Sequence, residues 1–141
     1  MNILEKIKEI LSDCPLMDRF NNGNHVDYTD NSLVDNYGLY SSGETIIKRS
    51  IWGDKTKQHN FTIYSILDTF DDNDRIQNSS FLIDLANYLD GLEITPFQDD
   101  TNWLSIERIT TSNGMLYQTL EDRKSIYQFQ LNVTYRESEE L

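Results

Sequence analysis

Residues 126–137 read Ile-Tyr-Gln-Phe-Gln-Leu-Asn-Val-Thr-Tyr-Arg-Glu, and this stretch decides the fold. Successive side chains of a β-strand point to opposite faces of the sheet, so strict alternation predicts a strand with one buried face. The polar set carries amides, one hydroxyl and a single charge, so we expect a partner to cover it. The apolar set is Tyr127, Phe129, Leu131, Val133 and Tyr135, and the polar set is Gln128, Gln130, Asn132, Thr134 and Arg136.

The segments just before this strand also predict extended structure. Residues 103–111 predict a strand, Asn113-Gly114 a hairpin turn, and residues 115–120 a further extended segment. Residues 121–124 predict the turn that leads into the last strand.

Two more strands are predicted in the middle of the chain, at residues 45–52 and 59–70. The link at residues 53–57 is short, which favours a hairpin. The second of these strands has apolar side chains on both faces. It is therefore predicted to lie centrally in the sheet or to be covered on both sides.

Two amphipathic helices are predicted. Residues 2–13 place apolar side chains at helical spacing, and Pro15 ends the pattern. The residues Asp-Asp-Asn-Asp at 71–74 are suited to cap a second helix at about 74–90, and Gly91 is predicted to end it in the left-handed conformation. The predicted core stripe of this helix is Phe81, Leu82, Leu85, Ala86 and Leu89.

The remaining stretch, residues 18–43, is polar and rich in turn residues, and it predicts a long irregular loop, within which residues 25–28 are a candidate short strand and residues 37–40 belong to a loop or an edge strand. The whole chain, 1–141, is then one domain of the α+β class. We expect a mainly antiparallel sheet of four to six strands packed with two helices, in the order α-β-β-α-β-β.

Composition limits the function. The chain has 24 acidic against 12 basic residues, a formal charge of −12. Tight binding to DNA is not expected, because phosphate contacts need Lys and Arg. The charged N-terminus matches neither a signal peptide nor a membrane span, so we expect a soluble protein made in the bacterial cytoplasm. Cys14 is the single cysteine and has no disulfide partner within the chain.

No pattern for catalysis, cofactor binding or metal binding is found. A calcium loop starting at Asp71 would need glycine at its sixth position, where Ile76 stands. His25 and His59 are 34 positions apart, and neither has a cysteine or a second histidine nearby. We therefore expect a protein that is not an enzyme and that has no catalytic, cofactor or metal residues.

Acidic residues concentrate between positions 66 and 100, where nine acids stand against one base, Arg75. A solvated helix face is the simplest explanation of such a run. In a ring of identical subunits the same residues would form one continuous acidic surface. The candidates for an acidic lumen are Asp71, Asp72, Asp74, Asp99 and Asp100.

This layout resembles the tail-terminator and minor capsid (head–tail joining) proteins of tailed bacteriophages and phage-like contractile particles. The shared features are the N-terminal helix, the irregular segment leading to a hairpin at 45–70, the helix segment 81–89, and the strand segments 105–109 and 127–135. The resemblance implies a homo-hexameric ring in the virion tail or neck. Such a ring caps the tail tube, meets tube, sheath and neck or collar proteins, lets DNA pass, and has no active site.

Two hypotheses from different classes follow. The first is a non-enzymatic structural protein that terminates a tail tube and joins it to the neck or head. The alternative is an acidic DNA mimic or inhibitor that occupies the nucleic-acid site of a host protein. A small hydrolase or nuclease is disfavoured, because no acid–base set can be assigned. For the first hypothesis the candidate subunit interface is Trp52, Trp103, Gln128, Gln130 and Asn132.

Overall fold

The computed structural model describes residues 1–140. Two α-helices, a short 3₁₀ helix at Pro15–Arg19 and six strands make up this part of the chain. The α-helices are α1 (Ile3–Asp13) and α2 (Asp72–Asp90). The strands are β1 (Asn24–Val26), β2 (Asn36–Arg49), β3 (Lys55–Asp68), β4 (Phe97–Asp99), β5 (Asn102–Thr119) and β6 (Lys124–Ser138).

All six strands form one sheet in the order β1-β2-β3-β6-β5-β4. The α+β class with two helices is confirmed. The sheet is mixed, because β1 runs parallel to β2 whereas the other four neighbouring pairs are antiparallel. The predicted order missed β1 and β4. Each has only three residues, too few to show an alternating pattern.

The prediction for the last strand is confirmed. Strand β6 lies between β3 and β5, and it pairs with β3 from Lys124 to Glu137. Leu131 is 1% exposed and Val133 is fully buried, whereas Gln128 to Arg136 on the other face are half-buried. The chain therefore closes its sheet by inserting its last strand into the centre.

Both helices pack on the apolar face of this sheet. An Asn2–Glu5 capping box starts α1, and its buried stripe is Ile3, Ile7 and Leu11. Asp71 caps α2 by accepting from the Asp74 amide, so the capping prediction is confirmed and the helix starts two residues early.

Gly91 ends α2 with φ of −90°, so the predicted left-handed ending is wrong. Its amide bonds the Leu89 carbonyl instead.

The predicted irregular loop at 18–43 is wrong from Asn36 onward, because β2 begins there, and the strand alternatives for residues 25–28 and 37–40 hold in part, since β1 and β2 overlap them. Tyr37 and Leu39 are buried in the core, which draws this segment into the sheet. The fully buried Asn36 amide holds the preceding turn through bonds to the carbonyls of Asp30 and Leu33. Burial of two large side chains outweighs the local turn preferences of the sequence.

The predicted hairpin turn at Asn113-Gly114 is also wrong. Both residues lie inside β5. Ser112 pairs with Gln130 and Met115 pairs with Gln128, so β5 advances by three residues where β6 advances by two. One extra residue makes a β-bulge, and Asn113 adopts φ of 54° there. An Asn-Gly pair favours positive φ in a β-bulge as it does in a hairpin turn. The residue types alone therefore could not distinguish a turn from a bulge at this position.

Strands β2 and β3 form the predicted hairpin, with different bounds. β2 ends at Arg49 and β3 starts at Lys55, so the turn is residues 50–54 and contains Trp52. The Ser50 amide bonds the Asp54 carbonyl, and Gly53 has φ of 92°. Strand β3 lies between β2 and β6, which confirms its predicted central position.

Candidate assembly surfaces

The sheet face opposite the helices is the first candidate surface. Gln128, Gln130 and Asn132 are half-buried there, near the middle of β6. Gln130 accepts a hydrogen bond of 2.8 Å from the Asn113 amide of the β5 bulge. The side-chain oxygen of Asn60, on β3, is buried and finds no partner among residues 1–140. The face thus offers amide donors and acceptors for a partner to meet.

Three tyrosines on the same face lie next to these amides. The ring of Tyr64 is 5.3 Å from that of Tyr40 and 5.2 Å from that of Tyr117. They line a shallow cavity of about 320 Å³ together with Thr29, Asn31 and Ile126. Sequence reasoning missed this cluster, because its members belong to three strands and only their register brings them together.

The tip of the β2–β3 hairpin, residues 46–55, is the second candidate surface. Ile51 is 92% exposed and Trp52 is 85% exposed. Ile46 and Ile47 are also exposed at the end of β2. Large apolar side chains in such a cluster are typical of an interaction site. Trp103 is half-buried at the start of β5 and lies at the same end of the sheet, opposite Ser138.

The candidate interface residues therefore form two groups. Trp52 and Trp103 lie at the end of the sheet where β6 finishes. Gln128, Gln130 and Asn132 lie further back along β6, where they pair with Tyr64, Thr62 and Asn60 of β3.

The candidate acidic residues also form two groups, at opposite ends of the sheet. Asp71, Asp72 and Asp74 start α2, just after β3 ends at Asp68. Asp99 and Asp100 turn from β4 into β5 near the other end of β3. At about 3.3 Å per residue, the 14-residue β3 separates these ends by roughly 40 Å. One subunit thus has two acidic patches and not one.

Several of these acids have local partners. Asp74 accepts from the Phe70 amide, and Asp72 pairs with Arg75 at 2.8 Å. Asp99 lies 3.9 Å from the N-terminal ammonium. Capping and local pairing thus account for part of the acidic run.

A polar network on the helix side of the sheet was not predicted. The Glu44 carboxylate accepts hydrogen bonds from the Tyr135 hydroxyl at 2.5 Å and from His59 Nδ1 at 2.7 Å. Lys57 bridges Glu44 at 3.5 Å and Glu137 at 2.5 Å. These side chains lie along a cleft of about 360 Å³ next to the start of α1. The network ties together β2, β3 and β6.

Hydrogen bonds control the protonation of this network. Burial alone would raise the pKa of Glu44, but the bonds from Tyr135 and His59 outweigh it and lower that pKa. Burial raises the pKa of the Tyr135 phenol, and the bond to Glu44 adds to the effect. For Lys57, burial would lower the pKa, but the bond to Glu137 outweighs it and raises that pKa. The Lys57 bond correspondingly lowers the pKa of Glu137.

Ser41 extends the network, because its hydroxyl lies 2.6 Å from His59 Nε2. Since a carboxylate only accepts, His59 donates from Nδ1 to Glu44, and a neutral ring then accepts from Ser41 at Nε2. This Ser–His–Glu connectivity is that of a catalytic triad. Glu44 is also bound by Tyr135 and Lys57, so a role in tying the strands together accounts for every contact.

The sequence analysis did not predict that Ser41, His59 and Glu44 lie together, because a β-bulge changes the register of β2. Ser41 pairs with Phe61 and Gly43 pairs with Asn60, so Ser42 is the extra residue. Alternation along a regular strand would place Ser41 and Glu44 on opposite faces. The bulge shifts the register by one residue and turns both toward His59.

No family model and no curated protein matches the chain. Among residues 1–140, no helix is long and apolar enough to cross a bilayer. Within the same residues, no three His, Cys, Asp or Glu side chains come together in a way that could hold a metal ion.

Proposed function

We propose that this chain is a non-enzymatic structural protein of a phage or phage-like particle. It forms a ring, hexameric in the families that the sequence resembles, that terminates the tail tube and joins it to the neck or head. The observation that carries the assembly role is the exposed hairpin tip. Ile51 and Trp52 would stay almost fully in water if the subunit worked alone.

The positions of the two surfaces favour a ring over a simple dimer. A two-fold dimer uses the same patch on both subunits, whereas a ring joins two different patches. The hairpin tip lies at one end of the sheet, whereas the amide and tyrosine surface lies on the sheet face opposite the helices. Two different contact surfaces on one subunit suit head-to-tail closure.

Charge supports the passage of DNA without adhesion. A chain with a net charge of −12 offers few unpaired Lys and Arg side chains to which DNA phosphates could bind. The same charge would suit the alternative, an acidic mimic that occupies a host protein's nucleic-acid site. That alternative does not by itself account for the exposed Ile51 and Trp52, because a mimic of phosphate charge needs only its carboxylates.

Localisation tests the proposal. Particles from the organism that encodes the chain would be purified, analysed by mass spectrometry and labelled with antibody-coated gold for electron microscopy. We expect the chain at one end of the tail, at the junction with the neck. Its absence from particles, with recovery on a host DNA-binding protein instead, would support the inhibitor.

A further inference from the structure

We propose that the groove between α1 and the segment that follows α2 binds a basic, amphipathic segment of a partner protein. The segment that follows α2 is residues 91–96, which lead into β4. This inference goes beyond the proposed function, because the groove uses neither the hairpin tip nor the amide and tyrosine face of the sheet. It identifies the partner by a large apolar side chain with lysine or arginine beside it.

The floor of the groove is apolar. Four half-buried side chains pack against the core of the domain there and line a cavity of about 220 Å³. They are Ile10 of α1, Tyr88 of α2, Leu92 and Ile94. Pockets for whole small molecules usually measure roughly 300–1,000 Å³, so a cavity of this size suits one side chain of a larger partner.

The rim of the groove carries an excess of negative charge. Glu9, Asp13 and Glu93 line the same cavity as the apolar floor. Glu9 and Asp13 are one turn apart on α1, so their Cβ atoms lie roughly 6 Å from each other. Lys6 also lines the cavity, but its ammonium is held 3.6 Å from Glu9 and 5.3 Å from the centre of the Phe97 ring. Within residues 1–140, Asp13 and Glu93 form no ion pair.

Both α-helices end at this groove, and their ends add to the negative potential. The last four carbonyl groups of a helix have no partner within it, and the helix dipole leaves partial negative charge there. Over Ile3–Asp13 and Asp72–Asp90, neither helix has a basic residue in its last turn. A lysine or arginine is the favourable charge at such an end. A cation from a partner would therefore supply what both helices lack.

Charge and shape together select the partner. A free cation such as a polyamine would meet the carboxylates but would leave the apolar floor in water. An uncharged apolar segment would leave the carboxylates and the helix ends without a counter-charge. A segment that places an apolar side chain next to basic residues satisfies both parts of the groove. Tyr88 in the floor also suits such a segment, because the faces of aromatic rings attract cations.

Fluorescence anisotropy tests the proposal with a synthetic probe. The probe is a labelled peptide of leucine and lysine at helical spacing, and its control carries glutamine at each lysine. At physiological salt, we expect the purified chain to bind the probe and not the glutamine control. The double variant Asp13→Asn with Glu93→Gln should weaken binding about fivefold, because two partly screened ion pairs are lost. Ile94→Ala should weaken it by a similar factor, because less apolar surface is buried.

A matched double variant separates the groove from the general charge of the chain. Glu121→Gln with Asp122→Asn removes the same two charges in the turn between β5 and β6, at the other end of β5 from β4. This variant should change the affinity by less than about twofold, because salt screens charges at that distance. Asp13 and Glu93 are exposed, so their replacement should leave the melting temperature unchanged. Equal weakening by the two double variants would overturn the proposal, because any acidic surface would then suffice.

Competition tests the apolar part of the site. Spermidine, a cation without an apolar side chain, should displace the probe only at concentrations far above that of unlabelled peptide. Displacement at the same concentration as the peptide, or tight binding of the glutamine control, would overturn the proposed specificity. These outcomes are separate from the tail-terminator role, which probe binding leaves untouched and which deletion of the gene tests.

Discussion

Shortening Leu131 to alanine should destabilise the domain by about 3 kcal/mol, because large-to-small changes in a closed core cost roughly 2–5 kcal/mol. Leu131 is 1% exposed at the centre of β6, paired with Phe61 of β3 and Thr111 of β5. Because neighbouring side chains cover Leu131 on all sides, the surrounding structure can move little to fill the cavity that the alanine leaves. Domains of this kind are stable by only about 5–15 kcal/mol, so the loss is a large fraction.

Urea unfolding followed by circular dichroism measures this cost, and the melting temperature should fall by about 10 °C. The control is Thr134→Ala, three positions along the same strand on the half-buried face. That change should cost less than about 1 kcal/mol. Leu131→Asp should be worse than Leu131→Ala, because it buries an unpaired charge. If Leu131→Ala loses no more stability than Thr134→Ala, the assigned register of β6 is wrong.

Three further predictions concern the polar network and the charge. The pKa of Glu44 in the folded protein lies below its ordinary value of 4.5, so Glu44 stabilises the fold fully above that pH and loses this contribution on acidification. Between pH 7 and pH 3, urea unfolding should therefore show a smaller loss of unfolding free energy for Glu44→Gln than for wild type. Equal losses would contradict the network. A fluorophosphonate probe should not label Ser41, and ester hydrolysis should be the same for Ser41→Ala; labelling that this change removes would establish a hydrolase. Gel-shift titration at physiological salt should show no tight binding of duplex DNA. A shift at submicromolar protein concentration would refute the claim that the acidic surface repels DNA.

The sequence predicted those parts of the fold that depend on a single regular element. The alternation in β6, the apolar stripe of α2 and the cap at Asp71 each follow from local periodicity or local hydrogen bonding. The two apolar patterns survive folding because the side chains that form them also form the core. The cap at Asp71 survives because it needs only the backbone of its own helix. Sequence reasoning therefore placed Leu131 and Val133 correctly.

The errors occurred where two distant segments determine the structure together. Asn113 resembles a turn residue, yet the partner strand β6 continues past it and makes it a bulge. Tyr37 enters a strand because β3 lies beside it. The row Ser41–His59–Glu44 depends on an extra residue that only strand pairing reveals. The separation of Asp74 from Asp99 likewise depends on the path of α2 across the sheet.

The length of tails made without this gene tests the central claim most directly. The gene would be deleted, the particles imaged by electron microscopy, and the tail-length distribution compared with that of the parent and of a strain complemented in trans. The account predicts tails of variable length, or tails of normal length that fail to join their heads, with both defects corrected by the complementing copy. Particles of uniform normal length, fully joined to their heads, would contradict it.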